Sequence, residues 1–392
     1  MIVKMKRLKI ILFLILVACH SKEYEALIET ENLVIPIDLE ESKAIKLSEY
    51  FSSVDYVLLS DNDDISLAQP YSVIKKAGLF FVRDMLLSNI LIFDGQGTLI
   101  NAILSSGAGP GEFQSIDNFF IENEFVYIKD ASLRKMLKFD HGGNFISETQ
   151  NLFGQSNFYI SEDFELWYLN NRSEHDFRIM RKANDGEIST FLNYDEWMAD
   201  KSAMKPNGFI ESAENEKIYF QLPFGYELAQ FSQTGFLERV ITLDFGKHNF
   251  KSEDRNRISI FEQANFAEEN DLVDDLINFF PLPSGYFAYF IQGRQKEHYL
   301  LFDENFDLKF HAKNLINDLD ELEFAFTPWF TDDNSIYFLT NSNALLLAYK
   351  QSFGEDIAIA LSRNSGALHD FIVEKLLDLQ EENTILVKLT LK

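Results

Sequence analysis

Aromatic residues recur along this chain at Phe81, Tyr127, Trp167, Tyr219, Tyr289 and Tyr337, and the residues three positions further on are Asp84, Asp130, Asn170, Leu222, Gln292 and Thr340. Five of those six carry side-chain oxygen. Carboxylate, amide and hydroxyl oxygens are the ligands that hard divalent cations take. A cation held by residues from separate elements would act as a Lewis acid on an ester or lactone carbonyl. Polar strand ends have the same appearance, because short side chains there bond to nearby loop backbone. Asp84, Asp130, Asn170, Gln292 and Thr340 are therefore read in two ways, as a polar ring around a channel or rim and as caps at strand ends.

No motif settles the question of a cofactor. Asp61-Asn62-Asp63-Asp64 and Glu268-Glu269-Asn270-Asp271 cluster oxygen ligands, but neither has the spacing or the glycine of an EF-hand loop. Calcium or another divalent cation is compatible with the chain and unspecified by it. The seven histidines, at 20, 141, 175, 248, 298, 311 and 369, form no His-x-x-x-His pair, and no Gly-x-Ser-x-Gly elbow occurs. The Gly107 to Gly111 loop lacks the Gly-Lys-Ser/Thr ending of a phosphate loop. It reads as a connection in which Pro110 fixes one φ and Glu112 caps nearby amides. No catalytic residue is assigned.

The elements that would position these residues follow a repeat. Phe81-Val82-Arg83-Asp84 to Phe93-Asp94-Gly95-Gln96-Gly97, and Tyr127-Ile128-Lys129-Asp130 to Phe139-Asp140-His141-Gly142-Gly143, share a layout of β-rich run, Asp, short polar stretch, β-rich run and glycine turn. The six aromatics are spaced by 46, 40, 52, 70 and 48 residues. Four-stranded propeller blades run to about 40 to 50 residues. The turns Asp94-Gly95-Gln96-Gly97, His141-Gly142-Gly143, Asn184-Asp185-Gly186, Gln233-Thr234-Gly235 and Asp303-Glu304-Asn305 are read as following the inner strands. The fold expected is all-β, a six-bladed β-propeller with four-stranded blades and a few helical insertions over residues 33–392. A β-sandwich or a two-domain β protein is the alternative for so irregular an array. One helix is expected from Ser252 to Phe280, accounting for the step of 70, and another from Ala367 to Gln380.

The N-terminus adds an address. Lys4, Lys6, Arg7 and Lys9 precede or open an apolar run from Ile10 to Ala18, too short to span a bilayer as a mature helix. Residues 1–18 therefore read as a signal peptide and residues 19–32 as a polar tether beginning at Cys19, the only cysteine. With no second cysteine, no disulfide forms within the chain. Removing residues 1–18 leaves 31 Lys and Arg against 62 Asp and Glu, a net charge of -31. Nucleic acid is excluded as a partner, since its binding rests on cationic neutralisation of phosphates.

Several segments carry a family resemblance. Leu16-Val17-Ala18-Cys19 resembles the lipobox of bacterial lipoproteins, which implies lipid attachment at Cys19. Gly107-Ala108-Gly109-Pro110-Gly111-Glu112-Phe113 is similar to the Gly-x-Gly-Pro-Gly-Glu-Phe/Tyr motif of the six-bladed β-propeller lipoproteins of Bacteroidetes, whose repeats look like NHL repeats. Leu243-Asp244-Phe245-Gly246-Lys247 and Glu381-Glu382-Asn383 resemble further segments of that family, though Thr384 stands where the family usually has Pro. The resemblance implies a cell-envelope protein anchored by lipid, with the outer membrane as its site, on the periplasmic or outer face. The function expected is a binding or interaction module for an envelope protein, a peptide or a glycan. The alternative is a divalent-cation-dependent hydrolase or lyase with its site in a central channel. If the ring closes as in other propellers, Val54 to Leu59 and Thr384 to Leu391 share a blade.

Overall fold

The computed structural model describes residues 31–392, apart from 61–63, 152–155, 171–174, 199–204, 206, 213–215 and 324–326. Residues 1–30, to which the expected signal peptide, Cys19 and most of the expected tether belong, and Asp61 to Asp63 lie outside the described residues. Six antiparallel sheets follow one another along the chain. Their first strands are Pro70–Lys76, Asn118–Glu122, Ser156–Ile160, Phe209–Ser212, Val273–Leu282 and Pro328–Asp332. Each of these touches the next, and the sixth touches the first, so they close a ring around a central channel. This is a six-bladed β-propeller, with blades numbered here from the sheet that begins at Pro70.

The composition follows from that stacking. A blade is covered on both faces by its neighbours, so its middle strands are apolar on both sides. In Leu79–Asp84, Phe80 and Val82 pack toward blade 6 while Phe81 packs toward blade 2. Strands buried on both faces lose the alternation of a half-exposed strand and become nearly continuous apolar runs.

All six repeat aromatics lie on the second strand of their blades: Leu79–Asp84, Phe125–Asp130, Phe164–Leu169, Lys217–Gln221, Gly285–Gln292 and Ser335–Asn341. The glycine and asparagine turns lie between the third and fourth strands rather than after the innermost ones. The second strand is flanked by strands on both edges and blades on both faces, so it gives the most uniform signal. The innermost strand faces the channel and varies from blade to blade.

The N-terminal segment wraps three blades before the first begins. Glu31–Pro36 adds a parallel fifth strand to blade 4, taking in Glu31 and Asn32, which the sequence reading gives to the tether. Lys43–Lys46 adds a parallel fifth strand to blade 5. Phe51–Leu59 then becomes the outer strand of blade 6, antiparallel to Thr384–Leu391, with Val54 opposite Leu389 and Leu59 opposite Thr384. The two ends of the propeller are thereby joined in one sheet, which removes a free edge.

The helices differ from expectation. Between blades 4 and 5 stand Ser252–Arg257 and Ile260–Asn270. The second ends where Asp271 takes a left-handed conformation and its amide donates to the Ala267 and Glu268 carbonyls. Leu272, Leu276 and Phe280 are spaced by four, as on a helix face, but Val273–Leu282 is a strand in which a bulge sends Leu276 and Phe280 to different sides of the sheet. Blade 6 carries a larger insertion between its second and third strands: Ser342–Phe353, Ile357–Arg363 and Ala367–Lys375, then a short 3-10 turn Asp378–Gln380. The first two, absent from the sequence reading, are capped by Asn341 and Asp356 side chains accepting from Ala344 and Ile359 amides. This insertion is why the sixth repeat has no recognisable turn. Among the described residues no helix is long and apolar enough to cross a membrane.

Candidate functional site

Each second strand ends, and each innermost strand begins, at one rim of the disc, termed here the upper rim. Asp84 and Asp130 sit there, fully buried. The Asp84 carboxylate accepts from the amides of Ala68 at 2.5 Å, Gln69 at 3.1 Å, and Leu86 and Leu87 at 2.8 Å. Asp130 accepts from the amides of Gln114 at 2.8 Å, Ser115 at 3.2 Å and Leu133 at 2.9 Å, and from the hydroxyls of Ser132 at 2.6 Å and Ser115 at 3.2 Å. In both blades the amides bound lie sixteen and fifteen residues before the Asp and three after it. Each carboxylate ties the loop entering the innermost strand to the turn leaving the second strand. Burial alone would raise the Asp130 carboxyl, but these hydrogen bonds outweigh it and hold the group below its ordinary value.

The other positions do other things. Asn170 follows the second strand of blade 3. Thr340 lies within the second strand of blade 6, opposite Ile385. Leu222 donates its amide to the Glu227 carbonyl. Gln292 joins a buried chain: its Oε1 meets His298 Nε2 at 3.2 Å, its Nε2 meets His248 Nδ1 at 3.3 Å, and His298 Nδ1 lies 2.9 Å from His311 Nε2. Burial pushes both His298 and His311 down to about 4, and for His298 the neighbouring His311 adds to the shift. Sequence spacing could not show this grouping, because the three histidines come from separate elements of blade 5 and the segment before it. Among the described residues no three His, Cys, Asp or Glu side chains are placed to hold a metal ion.

The family-like loop joins blade 1 to blade 2. Glu112 accepts from the Gly109 amide at 2.7 Å, and a Cβ at Gly107 or Gly109 would stand 2.6 or 2.8 Å from its carboxylate. Phe113 is buried between the two blades. Gly111 has φ 74, and its amide donates to Glu148 at 2.9 Å. Pro110 lies between these two glycines at a turn.

The middle of the channel holds a void of about 140 Å³ lined by Val73, Phe120, Phe209, Phe280 and Phe330 together with Lys75, Lys76, Asn207, Glu211 and Thr331. Its lower end bears Lys76 and Glu211, 3.9 Å apart. Glu122 lies close by, its carboxyl raised by burial, with Lys76 pulling it back down.

The upper mouth is different. A cavity of about 370 Å³ opens there between blades 4, 5, 6 and 1. Its wall includes Tyr71, Ile277 and Trp329, each near the start of an innermost strand. All three lie at register shifts, between Pro70 and Ser72, Leu276 and Asn278, and Pro328 and Phe330. A bulge inserts one residue and re-aims a side chain. Here three bulges in adjacent blades direct Tyr71, Ile277 and Trp329 to the same space. Phe224, from the turn after the second strand of blade 4, completes the aromatic wall with φ 64. A bulky residue in that region stores strain of about 1 kcal/mol or more, of the kind that gathers at functional sites. Trp197 holds its ring edge-on at 6.3 Å. The Arg83 guanidinium lies 4.7 Å from the Tyr71 ring centre. The indole Nε1 of Trp329 is shielded from water and has no hydrogen-bond partner among the described residues. Lys205 and Asp275, also in the wall, pair at 2.7 Å.

None of the five sequence-derived polar residues lines this cavity. A usable signal was nonetheless present: of the eight prolines, Pro70, Pro223 and Pro328 directly precede Tyr71, Phe224 and Trp329.

Comparison with known proteins agrees with the architecture. The structure superposes on a protein of Bacteroides fragilis described as exported with a TM-score of 0.68 at 15% identity, over 92% of this chain and 99% of that one. A member of the DUF4221 family from Bacteroides vulgatus gives 0.52 at 11% identity, over 87% and 97%. At such identities the likeness is one of fold. No curated protein gives a significant match. Residues 27–339 match the profile of the DUF5128 family, described as a 6-bladed beta-propeller, and the chain belongs to that family.

Proposed function

We propose that this protein is an envelope propeller, anchored by lipid at Cys19, that binds a partner molecule at the upper mouth of its channel. The observation that carries this reading is the convergence of three bulges on one cavity with an aromatic wall. An aromatic pocket with a few placed polar groups is the usual form of a small-ligand site. Protein, peptide and glycan partners all present groups small enough for a cavity of about 370 Å³. The cation-dependent hydrolase gains no support from Asp84 and Asp130, whose carboxylates are engaged by backbone amides.

Ligand-observed NMR with a library of neutral amphipathic fragments tests the site. Fragments that bind the wild type and fail to bind a Tyr71→Ala/Trp329→Ala variant are the expected result. Fragments binding both proteins equally would place recognition elsewhere. The anchor has a separate test: Cys19→Ser should move the protein from the membrane fraction to the soluble one, and unchanged fractionation would refute lipidation.

A further inference from the structure

We propose that the upper-mouth cavity recognises a neutral sugar ring at the end of a glycan. This rests on the reading of that cavity as the binding site and adds the chemistry of what enters it.

Charge comes first. The charged side chains in the wall are Lys205 and Asp275, and they neutralise each other at 2.7 Å. Asp275 is held further by the Gly225 amide at 3.1 Å, and Lys205 by the Leu276 carbonyl at 2.9 Å. Among the described residues no unbalanced charge lines the cavity, and a chain of net charge -27 repels polyanions. A neutral occupant fits.

The shape of the chemistry comes next. Tyr71, Phe224 and Trp329 give the wall flat apolar surface. A pyranose has two faces of C–H groups and an edge of hydroxyls, so it can lie on aromatic rings while its edge seeks hydrogen bonds. The wall has groups for that edge. The Tyr71 and Thr327 hydroxyls can each give and accept, and the Asn207 amide is oriented by its contact with Asn278 at 3.2 Å.

Size completes the argument. The volume of about 370 Å³ suits one or two sugar rings, so the end of a glycan fills it.

The test uses the full chain in a zwitterionic detergent free of glycoside headgroups. Cellobiose, maltotriose, a mannobiose, a galactobiose and N,N′-diacetylchitobiose are titrated by calorimetry and tryptophan emission. At least one should bind saturably, with affinity falling about tenfold or more in Trp329→Ala. Trp329→Phe, which keeps a flat apolar ring in the wall, should retain most of the affinity and guards against simple misfolding, as does an unchanged melting temperature. A sugar that binds Trp329→Ala as tightly as wild type overturns the proposal. N-acetyl-tryptophanamide and N-acetyl-Phe-Pro-amide are titrated alongside. If these bind, lose binding in Trp329→Ala, and no sugar binds, the cavity is a site and the sugar inference is wrong. If nothing binds, both readings fail.

Discussion

The channel wall has two halves. The innermost strands of blades 2, 3 and 4 pair with their neighbours without a register shift, whereas those of blades 5, 6 and 1 are each bulged near the upper rim. The regular half builds a wall. The bulged half turns Ile277, Trp329 and Tyr71 out of the alternation and into a cavity. A propeller gains rigidity from repetition, so the places where it departs from its own rule are where selection for something other than stability is to be sought. The capping carboxylates follow the rule and the bulges break it.

That contrast can be broken by experiment, beginning with the largest effect. Asp130→Ala removes an acceptor from three amides and two hydroxyls at a fully buried site, and should cost about 3 kcal/mol in denaturant unfolding. Trp329→Ala, on the half-buried cavity wall, should cost about 1 to 2 kcal/mol while abolishing ligand binding. A Trp329→Ala variant as unstable as Asp130→Ala would erase the distinction between structural and functional positions. The histidine chain gives a pH effect of moderate size. His298 and His311 titrate near 4 in the folded protein and near 6.5 when unfolded, so between those values the unfolded chain binds more protons. Their contribution is whole above about pH 6.5 and is lost as the pH falls toward 4. A His298→Gln/His311→Gln variant should therefore show a flatter fall of melting temperature across that window; an unaltered profile would mean that other groups govern it. The smallest effect is expected at the lower mouth, where Lys76 and Glu211 are both well exposed. Glu211→Gln should change stability by no more than about 0.5 kcal/mol.

Much of the frame was legible because the second strand is the most constrained one. Phe81, Tyr127, Trp167, Tyr219, Tyr289 and Tyr337 mark it in all six blades, and the pairing of Val54 to Leu59 with Thr384 to Leu391 followed from the need to close the ring. The polar residues after those aromatics did mark the upper rim, but one strand too far out. The innermost strands gave little signal because they answer to the channel and to the bulges rather than to a repeated core. Ile277 shows the difficulty: a bulge reverses the alternation, so Leu276 and Phe280 face different neighbouring blades although four residues separate them. The parallel strands Glu31–Pro36 and Lys43–Lys46 were equally hidden, since their partners lie some two hundred and seventy or so residues away or less and no local turn announces them. The histidine chain is a tertiary fact of the same kind.

The most direct test of the cavity uses the three tryptophans as reporters. They stand in distinct settings: Trp167 in the blade 3 core, Trp197 against Phe224, and Trp329 in the cavity wall. The chain labelled with 5-fluorotryptophan is followed by fluorine NMR while a fragment or sugar that binds is added. The expected result is a saturable shift of the Trp329 resonance, a smaller one at Trp197 and none at Trp167. A ligand that shifts Trp167, or that saturates the protein without moving Trp329, would contradict the assignment of the upper mouth as the binding site.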